Sequence, residues 1–208
     1  MYMPKSFVET RPEVLRQLLR AHPFAVVVTQ AAGGLTANHL PFELVDATTL
    51  HGHVARGNEL AQMDGAEVLL IFQGPDGYIS PNWYPTRWET GREVPTWDYA
   101  VVHVHGHLRV IDDPVWLRGA LETLVAQHES HLPQPWHITD APTEHIETSL
   151  HAIVGIEIVI ERIEGKFKLS QNHPAGNQAG AIAGIRARDG DGDAELAAFM
   201  LAQQESRS

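Results

Sequence analysis

Between Tyr99 and Ile111 the chain alternates with period two. Ala100, Val102, Val104, Leu108 and Val110 are apolar, whereas His103, His105, His107 and Arg109 occupy intervening positions. Only an extended strand sends such sets to opposite faces, so this segment must be a β-strand with one face on a core. The run Ile153 to Ile163 repeats the pattern, with Val154, Ile156, Ile158 and Ile160 facing inward and Glu157 and Glu161 outward. Two long one-sided strands require partners. The β-branched stretch Phe24–Thr29, the Gly33-Gly34 turn and a strand over Leu35–Asp46 predict a hairpin. Further strands are expected over Leu50–Ala55, Val68–Gln73 and Gly77–Ser80, with Gly74-Pro75-Asp76-Gly77 as a turn.

Helices fill the gaps. Thr10-Arg11-Pro12-Glu13 has the form of a capping box and predicts a helix to about Ala21. Asp113-Pro114 opens another to about Ser130, with Leu117, Leu121, Leu124 and Val125 on one face, and Asp140 and Pro142 open one ending near His151. Beyond the last strand, Ala175–Asp193 is a glycine- and alanine-rich tail, and Ala194–Gln204 forms a terminal helix expected to be weakly tied to the rest. The fold class is mainly β with peripheral helices (α+β). The organisation is one domain over 1–185, followed by a C-terminal tail and terminal helix over 186–208.

Composition narrows the chemistry. With no cysteine, thiolate zinc sites, iron–sulfur clusters and a thiol nucleophile are excluded. Fifteen basic residues against 26 acidic ones give a net charge of −11, which opposes binding to a phosphate polyanion. No apolar run approaches a membrane span and no signal-peptide pattern opens the chain, so a cytoplasmic location is expected.

Several groups of residues could carry function. The aromatic, proline-stiffened stretch Tyr78–Tyr99 reads as an ordered loop suited to a flat ligand, with Ser80, Asn82 and Thr96 for its polar edge; a barrel-capping minicore or dimer contact accounts for it equally well. The histidines at 103, 105 and 107 invite a metal, but a cupin-like site wants a glutamate shortly after His-x-His, and here Arg109 and Asp112 follow; no metal site is assigned. Arg56 and Asn58 flank Gly57 in a turn where a guanidinium and exposed amides can hold a phosphate, although a surface arginine explains them too. Lys166–Asn172 concentrates basic, hydroxyl and amide groups, or is simply a polar turn leaving the sheet. Asp189–Asp193 lacks the glycine and glutamate of a calcium loop and reads as a turn.

Taken in order, Asn38-His39-Leu40-Pro41-Phe42, Gly52-His53-Val54-Ala55-Arg56-Gly57-Asn58, Phe72-Gln73-Gly74, Tyr78-Ile79-Ser80-Pro81-Asn82-Trp83-Tyr84-Pro85, Val94-Pro95-Thr96-Trp97-Asp98-Tyr99 and Lys168-Leu169-Ser170-Gln171-Asn172 resemble the PaiB-like, FMN-binding negative transcriptional regulator family, from Met1 to about Ile185. The resemblance implies an FMN-binding split β-barrel that forms a homodimer with flavin sites between subunits. It places His39, Leu40 and Pro41 near the isoalloxazine and Arg56 and Asn58 near the phosphate. Ser80, Trp83, Thr96, Trp97, Lys168 and Gln171 lie in other motifs of the same family and come from either subunit. Departures from the family pattern are Asn82 for serine, Asp98 for asparagine, His105 for an aromatic and His173 for arginine.

The function implied is a repressor of degradative-enzyme and sporulation genes, with the flavin as sensor or structural cofactor. Direct DNA binding conflicts with the net charge and with the lack of a basic recognition helix. The alternatives are a flavin-dependent oxidoreductase acting on a small planar substrate and a haem-binding or haem-degrading protein.

Overall fold

A computed structural model describes residues 1–206. Eight strands form one sheet in the order β3-β2-β6-β7-β8-β5-β4, with β1 beside β8. The sheet does not close. The described residues divide into two compact units, and β6, β7 and β8 each contribute a segment to both.

The first unit comprises residues 22–72 and 103–163. Its hairpin is β2 (Phe24–Ala31) with β3 (Gly34–Pro41), in antiparallel register with Val27 opposite Asn38. Gly34 closes the turn with φ 118°, a conformation costly for any residue with a side chain. β2 also pairs with β6 (Glu67–Ile79), Val27 opposite Leu70. On the other side, β4 (Glu43–Leu44) pairs with β5 (Thr49–Ala55), and β5 pairs with β8 (Ile153–Lys168), His51 opposite Glu157. Alternate residues fill the core as period two requires: Ala25, Val27, Leu50, Leu70, Val104, Leu108, Ile156 and Ile158 are buried.

Two helices cover this unit. Asp113 caps α3 (Pro114–Glu129), its carboxylate accepting from the Val115 and Trp116 amides at 2.8 and 3.4 Å. Of the four residues expected to face the core, only Leu117 is fully buried. Trp116 instead lies over Gly155, where an added Cβ would sit 2.3 Å from the indole, so the glycine makes the space for the ring. α4 (Thr143–His151) follows as expected.

The second unit comprises residues 1–21, 73–102 and 164–208, described to 206. β1 (Val8–Glu9) pairs with the end of β8, Val8 opposite Lys166. α1 (Pro12–Ala21) buries Leu15, Leu18 and Leu19. The carboxylate serving its first turn is that of Glu9, which accepts from the Arg11 amide at 2.9 Å.

Four expectations are corrected or refined here. Gly74–Gly77 is no turn: β6 runs unbroken through it. A Cβ on Gly74 would meet Leu18 at 3.0 Å and the Ala100 carbonyl at 3.1 Å, and one on Gly77 would meet Leu196 at 2.9 Å, so these glycines permit close packing and do not bend the chain. The Tyr78–Tyr99 stretch is not a loop throughout. It ends β6, makes a short 3-10 turn at Pro81–Trp83, forms α2 (Pro85–Thr90) and begins β7 (Thr96–Ile111); Pro81 and Pro85 each start a helical turn, where a missing N–H costs nothing. Lys166–Asn172 does leave the sheet in a turn, β8 ending at Lys168, but that turn is packed inward, with Leu169, Ser170 and Gln171 buried. Finally, the glycine- and alanine-rich tail is a helix, α5 (Ala175–Arg188), and α6 (Asp193–Glu205) is firmly packed through Leu196, Ala197 and Met200. Small residues let α5 approach closely: Gly180 and Gly184 lie directly against Trp83.

Candidate functional site

The residues singled out from the sequence fall into two groups, one in each unit. In the first unit, His39, Leu40 and Pro41 end the edge strand β3. His39 is exposed, its ring 6.2 Å from that of Phe24, while Leu40 and Pro41 are half-buried. Asn58 ties this strand to the turn after β5. Its Nδ2 donates to Asn38 Oδ1 at 2.9 Å, and its Oδ1 accepts from the Leu60 amide at 2.9 Å, capping a 3-10 turn. The two motifs are therefore held together by one side chain.

Arg56 stands at the same turn, exposed but directed. Nη1 and Nη2 donate to the two carboxylate oxygens of Asp112, each at 2.7 Å, while Nε and Nη2 donate to the carbonyls of His151 and Ile153 at 3.0 and 3.1 Å. This fork-to-fork pairing raises the guanidinium's affinity for its proton and holds the Asp112 carboxyl below its ordinary range. Four of the five guanidinium hydrogens are used, leaving one on Nη1. Next to it, Gly57 opens on space, with nothing within 4 Å of where a side chain would project. A fixed cation with a spare donor beside an open backbone turn fits a phosphate monoester, although Asp112 offsets part of the charge.

In the second unit the nominated residues are joined to one another. Lys168 Nζ donates to Thr96 Oγ1 at 2.6 Å, to the Trp97 carbonyl at 2.6 Å and to Asp98 Oδ1 at 3.2 Å. Three bonds use all three ammonium hydrogens. Asp98 is wholly buried; its second oxygen accepts from Ser170 Oγ at 2.6 Å, and Ser170 in turn meets the Tyr84 hydroxyl at 3.2 Å. Burial pushes the Asp98 carboxyl up, against the opposing effects of Ser170, Lys168 and His173. Ser170 adopts φ 58°, a backbone conformation non-glycine residues seldom take, and the hydrogen bonds to its hydroxyl help hold it there. His173, where the family pattern has arginine, stacks on Tyr84 at 4.7 Å.

The remaining nominated residues have local partners. Ser80 caps the 3-10 turn by accepting from the Asn82 amide at 3.2 Å. Trp83 packs on α5, and Arg188 lies 5.8 Å over its ring. Gln171 bonds backbone at both ends of its carboxamide: it accepts from the Leu169 amide at 2.6 Å and donates to the Phe167 carbonyl. Trp97 differs, being 52% exposed. Its indole N–H donates to Asp76 at 2.7 Å and its ring stands edge-on to the exposed Tyr78 at 6.4 Å, so two aromatic faces meet solvent together. Sequence reasoning missed the roles of Asp112 and Tyr84. Both are partners of nominated residues that lie far off in the chain, and only the pairing of Asp112 with Arg56 could have been sought, by asking which acid would hold that arginine.

An open antiparallel sheet with helices at its margin is the architecture of a split-barrel protein. Residues 1–162 match the family described as "Putative FMN-binding domain", and the chain belongs to that family. It is 34% identical over 177 residues to the Protease synthase and sporulation protein PAI 2 of Bacillus subtilis, covering 83% of each chain. It is 32% identical over 226 residues to an uncharacterized protein of Emericella nidulans, covering 89% of this chain and 90% of that one. Among solved structures, the FAD and heme binding protein of Mycobacterium smegmatis shares the fold with a TM-score of 0.61 at 21% identity, over 77% of this chain and 73% of the other. Among the described residues, no helix is long and apolar enough to cross a membrane.

Proposed function

We propose that this chain holds FMN between two copies of itself and that the flavin-loaded dimer takes part in gene regulation without gripping DNA directly. The observation that carries the flavin site is the Asn58–Asn38 hydrogen bond, because it fixes the exposed end of β3 beside the turn of Arg56 and Gly57. A ring lying along His39, Leu40 and Pro41 then has its phosphate tail within the range of Arg56 and Asn58. In the other unit, the exposed Trp97 with Tyr78 offers a flat aromatic surface of the kind a planar ring stacks on. Lys168, bonded to Thr96 Oγ1 and the Trp97 carbonyl, fixes the backbone that presents Trp97, Gln171 braces the Phe167–Leu169 backbone on either side of Lys168, and Ser80 and Trp83 fix the turn before Trp97. FMN, when bound, supplies reversible electron transfer; these side chains bind it, orient it and exclude water.

The regulatory part rests on the likeness to the Bacillus subtilis protein and on charge. A net charge of −11 opposes direct operator contact. The test is made on one preparation: absorption spectrum, FMN titration, sedimentation, NAD(P)H oxidation and gel-shift at stated salt. Flavin bands in a dimer without turnover support the proposal. Colourless protein that takes up no FMN refutes it, a Soret band points to haem, and sustained NAD(P)H oxidation with a planar acceptor establishes the oxidoreductase reading instead.

A further inference from the structure

Glu43 has no role in the site above, yet it is the most anomalous side chain of the first unit. It is buried, with 8% of its surface exposed, and its Oε1 has no hydrogen-bond partner at all. An orphaned buried acceptor calls for an explanation, since native structures pair nearly all such atoms. Its natural partner is occupied elsewhere: His51, directly opposite across the β4–β5 ladder, turns Nε2 to Glu157 at 3.1 Å, and Glu157 also accepts from Arg109 at 2.6 Å. Burial accordingly raises the Glu43 carboxyl, opposed by the charge of His128.

Two cavities share Glu43 as a wall. One is a void of about 20 Å³ beneath Leu117 and Leu121, room for a single water. The other is a groove of about 520 Å³ between β4–β5 and α3, bordered by Val45, His51, Trp116, Gly119 and Thr123. Trp116 presents an indole there, steadied by the His51 ring 4.7 Å away. Its walls combine apolar and aromatic surface from Val45, Val115 and Trp116 with polar groups of His51 and Thr123, and the Glu43 carboxyl borders it. Rotation about the last Glu43 torsion, which is soft, turns either oxygen toward it.

We propose that this groove is a binding site for a small organic cation: a protonated amine on an apolar or aromatic body, the ammonium donating to Glu43 and the body lying against Trp116. An ammonium supplies the donors Glu43 lacks, and an indole face attracts cations. A neutral alcohol of the same shape satisfies the oxygen less well, because a charge-assisted bond is the stronger one.

Benzylamine hydrochloride is the probe and benzyl alcohol its neutral counterpart, titrated at neutral pH into the full chain by calorimetry and by Trp fluorescence. Benzylamine is expected to bind at least tenfold more tightly than benzyl alcohol, and Glu43→Gln to abolish that preference while keeping near-UV circular dichroism unchanged. Gly119→Trp is the second variant: this glycine borders the groove and nothing lies within 4 Å of a Cβ added there, so a side chain can start from it without a clash and the bulky indole is introduced beside the site, with near-UV circular dichroism checking the fold. It is expected to weaken benzylamine at least tenfold. Equal affinity for the two probes, no binding of either, or binding indifferent to both substitutions overturns the proposal.

Discussion

Replacing Lys168 with methionine separates a structural from a cofactor-binding role for the Lys168-Leu169-Ser170-Gln171-Asn172 stretch. The ammonium makes three short contacts, one to an Asp98 carboxylate that is wholly buried. Removing one partner of a buried ion pair costs about 3–5 kcal/mol, because the other charge is left uncompensated. Lys168 keeps 23% of its side chain in solvent, which screens part of the interaction, and Ser170 still bonds Asp98, so the lower end applies: about 3 kcal/mol. At roughly 2–4 °C per kcal/mol for a chain of this size, the melting temperature should fall by about 6–12 °C. The sign of the pH dependence follows from the carboxyl. Asp98 is already raised by burial, and losing Lys168 raises it further. The variant's deficit is therefore full above the folded-state pKa and shrinks as pH falls through it, where a neutral Asp98 needs no cation. Urea unfolding of the wild type, Lys168→Met, Asp98→Asn and the double variant at several pH values checks this. The double variant should recover most of the loss. A Lys168→Met protein as stable as the wild type but with weakened FMN binding would refute the reasoning and return Lys168 to the cofactor.

Three further outcomes are expected. Glu43→Gln should be the more stable protein at pH 8, by about 1 kcal/mol, and equal to the wild type near pH 4; a raised folded-state pKa stabilises only while the carboxyl is protonated, so the wild type loses ground as pH rises, and urea midpoints across pH decide it. Arg56→Ala should weaken FMN binding by the loss of one charge-assisted contact, read by fluorescence titration; unchanged affinity places the phosphate elsewhere. Gly180→Ala puts a methyl 2.0 Å from the Trp83 carbonyl, which is backbone and cannot swing aside, so α5 must shift; a loss of more than about 2 kcal/mol in urea is expected, and a neutral effect would show that α5 docks loosely.

Much of the fold was legible because strand periodicity is local. The alternation of Ala100, Val102, Val104 and Leu108 against three histidines, and of Ile156 and Ile158 against Glu157, fixed both the strands and their buried faces, and Asp113-Pro114 marked a helix start. The motifs likewise named the family. Errors arose where glycine and proline have two uses. Gly74-Pro75-Asp76-Gly77 reads as a turn on composition, but Leu18 and Leu196 press on it from segments remote in the chain. The Gly-Ala run after Pro174 reads as a loose tail for the same reason, until Trp83 is found against Gly180 and Gly184.

By itself, then, the sequence determined a one-sided antiparallel sheet and an FMN-binding family, since both depend on residues near one another along the chain. Only the tertiary structure decided what each polar group is free to do. A hydrogen-bonding group can serve a ligand only with capacity its own fold has not used, and the partners that use it are distant: Asp112 for Arg56, Thr96 and Asp98 for Lys168, the Phe167 carbonyl for Gln171. Glu43 is the reverse case, a residue no motif marked, which stands out because nothing in the folded chain answers it.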